Sequence, residues 1–266
     1  MRYLIKFSYD GTKFHGFQRQ KNNKNVQGTL EKVLSEYFKC YIVIKGAGRT
    51  DAGVHAYGQC AHFDVDKIVT KNDIDKINDI LSNEINIISF KKVKDGFHAR
   101  YSVKYKKYIY MVNCGHFDKN KIGYYYQIKY KLDLIAMKKA AKLFVGTHDF
   151  HNFVSGERLD YTTTIFNVKV KKRNNIFIIE FKGIAFYRYM VRHLVGALID
   201  VGRKKASVNE IKKMISFPSI FKNLSVVPSD GLYLKKIKYW ILKGVLIDES
   251  YFIFRNKFCN YFFNCF

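Results

Sequence analysis

The 266-residue sequence predicts an α/β (α+β) fold in which two strand-and-helix halves share one continuous sheet. Three observations carry this expectation. Runs of period-two alternation recur between runs of helical period along the chain. The element order of the first half returns in the second, although no repeat is detectable by residue identity. Proline occurs only twice, so no Pro-rich linker parts the halves. The charged, aromatic stretch 119–131 is the candidate join, which gives an N-terminal half over 1–115 and a C-terminal half over 116–266.

Each element has a local reason. Residues 2–9 alternate as a strand and end at Asp10-Gly11, a turn pair. Asn25 is placed to cap a helix over 26–38, whose apolar stripe is Val26, Leu30, Val33, Leu34 and Tyr37. A strand at 41–44 runs into a glycine-rich loop over 46–58, and a third strand follows at 59–65. A helix over 72–81 and strands over 85–93 and 105–113 come next. An amphipathic helix is expected over 133–145, then a hairpin of 162–172 and 176–183 that turns at Asn174-Asn175. Helices over 187–201 and 208–215 precede a closing strand at 232–240. The tail 243–266 is aromatic, carries two cysteines, and is suited either to dock on the domain or to serve an interface.

Composition narrows the partners. Lys and Arg number 47 against 22 Asp and Glu, a net charge of +25, and such a field attracts polyanions. Nucleic acid and an anionic membrane surface both fit, and lysine drift in an AT-rich genome is the plain alternative. Aromatic residues make up 17 %, which suits stacking on bases, although most of the 23 Phe are expected in the core. The five cysteines are odd in number and none are spaced Cys-x-x-Cys, which argues against a zinc site or a disulfide framework. Free thiols in a reducing cytoplasm are expected. The N-terminus reads as a strand and not as a signal peptide, and no apolar run is long enough to span a bilayer.

The sharpest local feature is Gly48-Arg49-Thr50-Asp51-Ala52-Gly53-Val54-His55-Ala56. A carboxylate stands between two glycines that let the backbone approach a ligand. Beside Arg49 it is expected to stay ionised, because a neighbouring cation favours the charged form. Loop chemistry alone describes a surface turn with an Asp51–Arg49 ion pair equally well. In the helix read over 187–201, apolar residues cover most of the circumference, so Arg192, one turn from Arg188, is expected to be partly buried. A buried guanidinium needs a carboxylate; a snorkelling arginine is the alternative. His98, His116, His148, His151 and His193 form no ligand pattern with Cys or paired carboxylates, so no metal is expected.

The nine residues 48–56 resemble the catalytic motif of the TruA family of tRNA pseudouridine synthases. Tyr9-Asp10-Gly11 with Phe17-Gln18-Arg19-Gln20 is similar to that family's opening strand and turn, with Phe17 where the family has Trp. Val26-Gln27-Gly28-Thr29-Leu30-Glu31, Phe97-His98-Ala99-Arg100-Tyr101, Lys107-Tyr108-Ile109-Tyr110, Phe186 with Met190 to Gly196, and Gly231 to Leu234 resemble further family segments in the same order. The match spans about residues 2–240. It implies RRM-like halves, a mainly antiparallel sheet with helices on one side, and a catalytic cleft between the halves. It also implies a redox-neutral isomerisation of uridine in tRNA, at anticodon-arm positions 38, 39 and 40, without cofactor or metal, by a homodimer.

By the same resemblance Asp51 takes the catalytic position, Tyr108 lies against the target base, Arg49 holds the gap left by an everted base, and Arg192 pairs with Asp51. Phe97, His98, Ala99, Arg100 and Tyr101, with the basic run 104–107, are expected on the RNA backbone. Residues 154–161, Arg188 and Tyr189 depart from the family pattern and bear on which tRNAs are held. Two other readings compete. A non-catalytic RNA-binding protein or RNA chaperone of RRM-like fold has no use for an acid in a basic groove. A metal-dependent nuclease needs clustered carboxylates, which the Asp51 motif lacks.

Overall fold

The computed structural model describes residues 1–82, 84–218, 225–242 and 245–246. The alternation at the N-terminus forms β1 (Arg2–Tyr9), which buries Tyr3, Ile5, Phe7 and Tyr9 on one face. After it, α1 (Val26–Phe38) begins where Asn25 Oδ1 accepts the Gly28 amide at 2.8 Å. The first half continues with β2 (Lys45–Gly46), β3 (His55–Asp64), α2 (Lys71–Ile80) and β4 (Ile85–Val93). Phe38 of α1 meets Phe63 at 6.3 Å between rings, and Phe63 stacks on Tyr3, so α1 covers the face that β1 buries.

The chain continues with β5 (Val103–Asn113), β6 (Tyr126–Gln127), α3 (Leu134–Leu143), β7 (Gly146–Asp149), β8 (Thr162–Arg173) and β9 (Ile176–Gly183). Then come α4 (Met190–Gly202), α5 (Val208–Ser216) and β10 (Leu232–Tyr239). The predicted hairpin turns at Asn174, whose φ is +52°. The join region 119–131 holds a short 3-10 turn and β6. Of the tail, β11 (Ile241–Leu242) and β12 (Val245–Leu246) pair as a small hairpin; the expectation for the rest of 243–266 lies outside the described residues.

One ten-stranded sheet runs through the molecule in the order β4-β1-β3-β10-β5-β9-β8-β7, with β2 on β3 and β6 on β5. Along the main path every pairing is antiparallel except one. At the centre β3 and β10 run parallel, with Tyr233 opposite His55 and Leu234 opposite Ala56. The sheet is therefore continuous and mainly antiparallel, as expected, with this two-residue parallel seam at its centre.

Three local expectations change. The stretch 41–44 buries Ile42 and Ile44 alternately, yet it does not pair as a strand. Its amides are already taken by α1, since Ser35 Oγ accepts from Ile42 and Glu31 Oε1 accepts from Ile44. The glycine-rich loop ends at Val54, because β3 starts at His55 and absorbs Tyr57-Gly58 as an irregularity in its pairing with β1. The last long helix starts at Met190 and not at 187, because Tyr189 takes the left-handed conformation at φ +58°.

The segment 225–231 crosses between α4 and the loop that leads into β3. A methyl group on Gly196 of α4 would lie 2.1 Å from the Ser225 carbonyl oxygen, so only glycine lets the two backbones approach. Gly196→Ala is expected to destabilise the protein by about 1–3 kcal/mol, read as a lower Tm in thermal unfolding. An unchanged Tm would show that the crossing tolerates displacement.

Candidate active site

The loop carrying Asp51 is fixed from several directions. The Phe17 amide donates to the Thr50 carbonyl at 3.0 Å, and the Val54 amide donates to the Asp51 carbonyl at 3.2 Å, closing a turn. Gly53 sits at φ +77°, where side chains are strained, and a Cβ there would lie 2.6 Å from Ser229 Oγ. Gln59 Nε2 donates to the Gly48 carbonyl at 2.9 Å. The hydroxyls of Tyr9 and Thr50 share a hydrogen bond of 2.8 Å. The loop thus rests on the end of β1 and against the segment 225–231.

Register defines the floor of the site. Tyr9 is opposite Ala56, Ala56 opposite Leu234, Leu234 opposite Tyr108, and Tyr108 opposite Phe181. Facing residues share a side of the pleat, so these five line one face, the face that α1 covers further along. Tyr108 is 7 % exposed, and its ring meets Phe186 edge-on at 5.2 Å. Burial pushes its hydroxyl well above the usual tyrosine range, with Tyr9 and Asp51 adding to the effect. Burial likewise pushes Tyr9 up to about 12. Both hydroxyls therefore keep their protons at neutral pH.

Arg192 reaches this floor from the first turn of α4. Its Nη1 lies 3.8 Å from Asp51 Oδ2, and its Nε donates to the Val227 carbonyl at 2.7 Å. The Arg192 side chain is 16 % exposed and that of Asp51 30 %. Tyr189 lies between two guanidinium groups, that of Arg192 at 4.5 Å from the ring centroid and that of Arg188 at 5.1 Å. A carboxylate of one half and a guanidinium of the other thus meet over the seam of the sheet.

The pKa of Asp51 does not shift in the direction that a neighbouring cation alone would give. Burial raises its pKa above the ordinary aspartate value, and it outweighs the opposing pull of Arg192 and Arg188. The sequence argument named Arg49 as the stabilising cation. Arg49 is instead exposed and makes no ion pair among the described residues. The stretch 97–101 divides. Phe97 and Ala99 are wholly buried, with the Phe97 ring 5.1 Å from that of Tyr239, so their side chains anchor the segment and face no solvent. Arg100 and Tyr101 are exposed, and His98 is partly so.

Sequence reasoning missed Tyr9, Thr50, Phe186 and Val227 as parts of this site. Tyr9, Thr50 and Phe186 carried a signal as members of segments that resemble the family, and Val227 carried none. His55, at the end of the motif, points to the other face of the sheet. Its Nδ1 accepts the Gly11 amide at 3.1 Å and its Nε2 donates to the Gly123 carbonyl at 2.8 Å. It stacks on Tyr233 and Tyr124, and Tyr57 continues the stack on Tyr233. Beside this stack a pocket of about 260 Å³ is lined by Asp10 and Glu84 among others. Among the described residues no group of three His, Cys, Asp or Glu is placed to hold a metal ion, and no helix is long and apolar enough to cross a membrane.

Comparison with known proteins bears on this geometry. A family model described as tRNA pseudouridine synthase matches residues 5–102 and 140–240. A tRNA pseudouridine synthase A of Thermosipho melanesiensis is 37 % identical over 242 residues, covering 90 % of this chain and 99 % of the relative. One from Streptococcus thermophilus is 38 % identical over 252 residues, covering 90 % and 99 %. One from Latilactobacillus sakei is 36 % identical over 248 residues, covering 90 % and 98 %. Among solved structures, a Cbf5-Nop10-Gar1 complex aligns with 74 % of this chain and 45 % of its own at a TM-score of 0.33 and 9 % identity.

The raised pKa of Asp51 has a stability consequence. An acid whose folded pKa exceeds its unfolded one costs stability as pH rises between the two values. The cost is absent below the unfolded pKa and complete above the folded one. Asp51→Asn is therefore expected to melt no lower than the parent at neutral pH, with any advantage vanishing in acid below the ordinary aspartate range. A variant that melts below the parent at neutral pH and matches it in acid would reverse the sign.

Proposed function

The chain belongs to the tRNA pseudouridine synthase family, an isomerase acting on uridine in tRNA, and from that premise we propose that Asp51 is its catalytic group. The observation that carries this reading is the meeting of Asp51 and Arg192 over the face that holds Tyr108. In the reaction the C1′–N1 bond of a uridine breaks and a C1′–C5 bond forms, while C5 loses a proton and N1 gains one. Atoms and electrons balance without oxidant, reductant or metal. One carboxylate suffices, as nucleophile toward the nucleotide or as the base that removes a sugar proton.

Burial strengthens Asp51 for either role, since a higher pKa means a better proton acceptor. Arg192 keeps the charged form accessible by opposing that rise. A paired uridine is out of reach of this floor, so the nucleotide is everted. The ring of Tyr108 then lies against the base, and its protonated hydroxyl is a donor. Arg49, exposed and free of carboxylate partners among the described residues, occupies the space that the base leaves. The catalytic cleft runs between the half 1–115, which carries Asp51, and the half 116–266, which carries Arg192.

Around this centre His98, Arg100 and Tyr101 contact the RNA backbone, with Phe97 and Ala99 fixing them from below. The substrate positions are 38, 39 and 40 of the anticodon arm. A site serving neighbouring positions reads shape and backbone more than base edges, which the net charge of +25 favours. The working form is a cytoplasmic homodimer with one tRNA touching both subunits.

The test is to map pseudouridine in tRNA incubated with the parent and with Asp51→Ala. Modification at 38–40 by the parent, its complete loss in Asp51→Ala and retained tRNA binding are expected. Turnover by Asp51→Ala would remove the residue from its role.

A further inference from the structure

Lys106 and Lys107 are neighbours in β5, yet the pleat sends them to opposite faces. Lys107 pairs with Glu180 at 3.0 Å. Lys106 shares the face of Tyr108, and among the described residues it has neither a hydrogen bond nor an ion pair. Its ammonium lies against the catalytic loop. A methyl group on Gly48 would sit 3.0 Å from Lys106 Nζ, with backbone and other side chains further away. The charge that acts on it is another cation, Arg100, and burial together with Arg100 draws its pKa down to about 8.

Such an arrangement is costly in isolation. An ammonium drawn out of water needs an anion. No carboxylate supplies it here. Arg100 stays exposed, with its guanidinium 5.9 Å from the Tyr101 ring, where a solvent-borne anion can reach it. Gly48 precedes Asp51 by three residues, and three residues span at most about 11 Å. An anion held by Lys106 and Arg100 therefore lies near the group that Asp51 attacks. In RNA, the anion at that distance from a uridine is a backbone phosphate.

We propose that Lys106 and Arg100 form a phosphate subsite that holds the backbone of the tRNA next to the uridine presented to Asp51. This rests on Asp51 marking the reaction centre. The subsite fixes the strand on either side of the everted nucleotide, so that the base alone moves. A methyl group at 48 would press on the ammonium, which would have to shift by a few tenths of an ångström.

The test measures binding of a full-length tRNA transcript by the full chain in the Asp51→Ala background over a salt series. Each phosphate contact adds about one to the slope of log Kd against log salt. Lys106→Gln is expected to weaken binding about tenfold at low salt and to reduce that slope by about one. Lys106→Arg is expected to restore the slope, because the charge returns. Arg100→Gln, a change at an exposed residue, is expected to reduce the slope by a similar amount even if Lys106→Gln folds poorly. An unchanged slope in both glutamine variants, or no restoration by arginine, would overturn the proposal. If Asp51→Ala still makes pseudouridine, the reaction centre is misassigned, and the slopes still report on Lys106 separately.

Discussion

A carboxylate set down on the apolar face of a sheet loses most of its hydration, and the surrounding structure has to compensate for that loss. Asp51 is in this position, and its compensation comes from a helix at the far end of the chain. Arg192 stands 3.8 Å away, beyond the distance of a tight salt bridge, and its Nε is tied to the Val227 carbonyl. The guanidinium is thus held by the protein and offered to Asp51. Burial prevails in that balance, which leaves the acid with a raised pKa and still beside a cation. That is the state the proposed catalytic role of Asp51 needs. Full pairing would quench it as a base, and no pairing would neutralise it.

Much of the molecule serves to keep that distance. The parallel pairing of β3 with β10 brings the Asp51 loop alongside the second half. The segment 225–231 is wedged between α4 and the loop, and both contacts rely on glycine, at 196 and at 53. Tyr189 takes a left-handed conformation that costs a residue with a side chain about 1–3 kcal/mol. In return, it ends the approach to α4 and puts its ring between Arg188 and Arg192. A backbone outlier at such a point is consistent with strain kept for geometry.

Local pattern made much of this legible. The strands at 2–9, 85–93 and 176–183 and the helix at 26–38 have the bounds that alternation and capping give them. What pattern could not show was set by distant residues. The stretch 41–44 looks like a strand, and it fails to pair because Ser35 and Glu31 intercept its amides. Tyr187 and Arg188 look helical, and the turn at Tyr189 excludes them. Asp51 stood out by its motif, yet the direction of its pKa shift depends on a burial that its neighbours in sequence do not reveal. Arg49 is adjacent in sequence, yet it is exposed and makes no ion pair among the described residues. Lys106 and Lys107 are the same residue type, and only the pleat and the position of Glu180 tell them apart.

The account depends most directly on Arg192 tuning Asp51. The decisive measurement is the pH dependence of the single-turnover rate of pseudouridine formation for the parent and for Arg192→Ala. Removing the cation leaves burial unopposed, so the acid limb of Arg192→Ala is expected to move to higher pH, beyond the loss in maximal rate. An acid limb that stays in place, or moves to lower pH, would show that the guanidinium does not act on the carboxylate and would contradict the central claim.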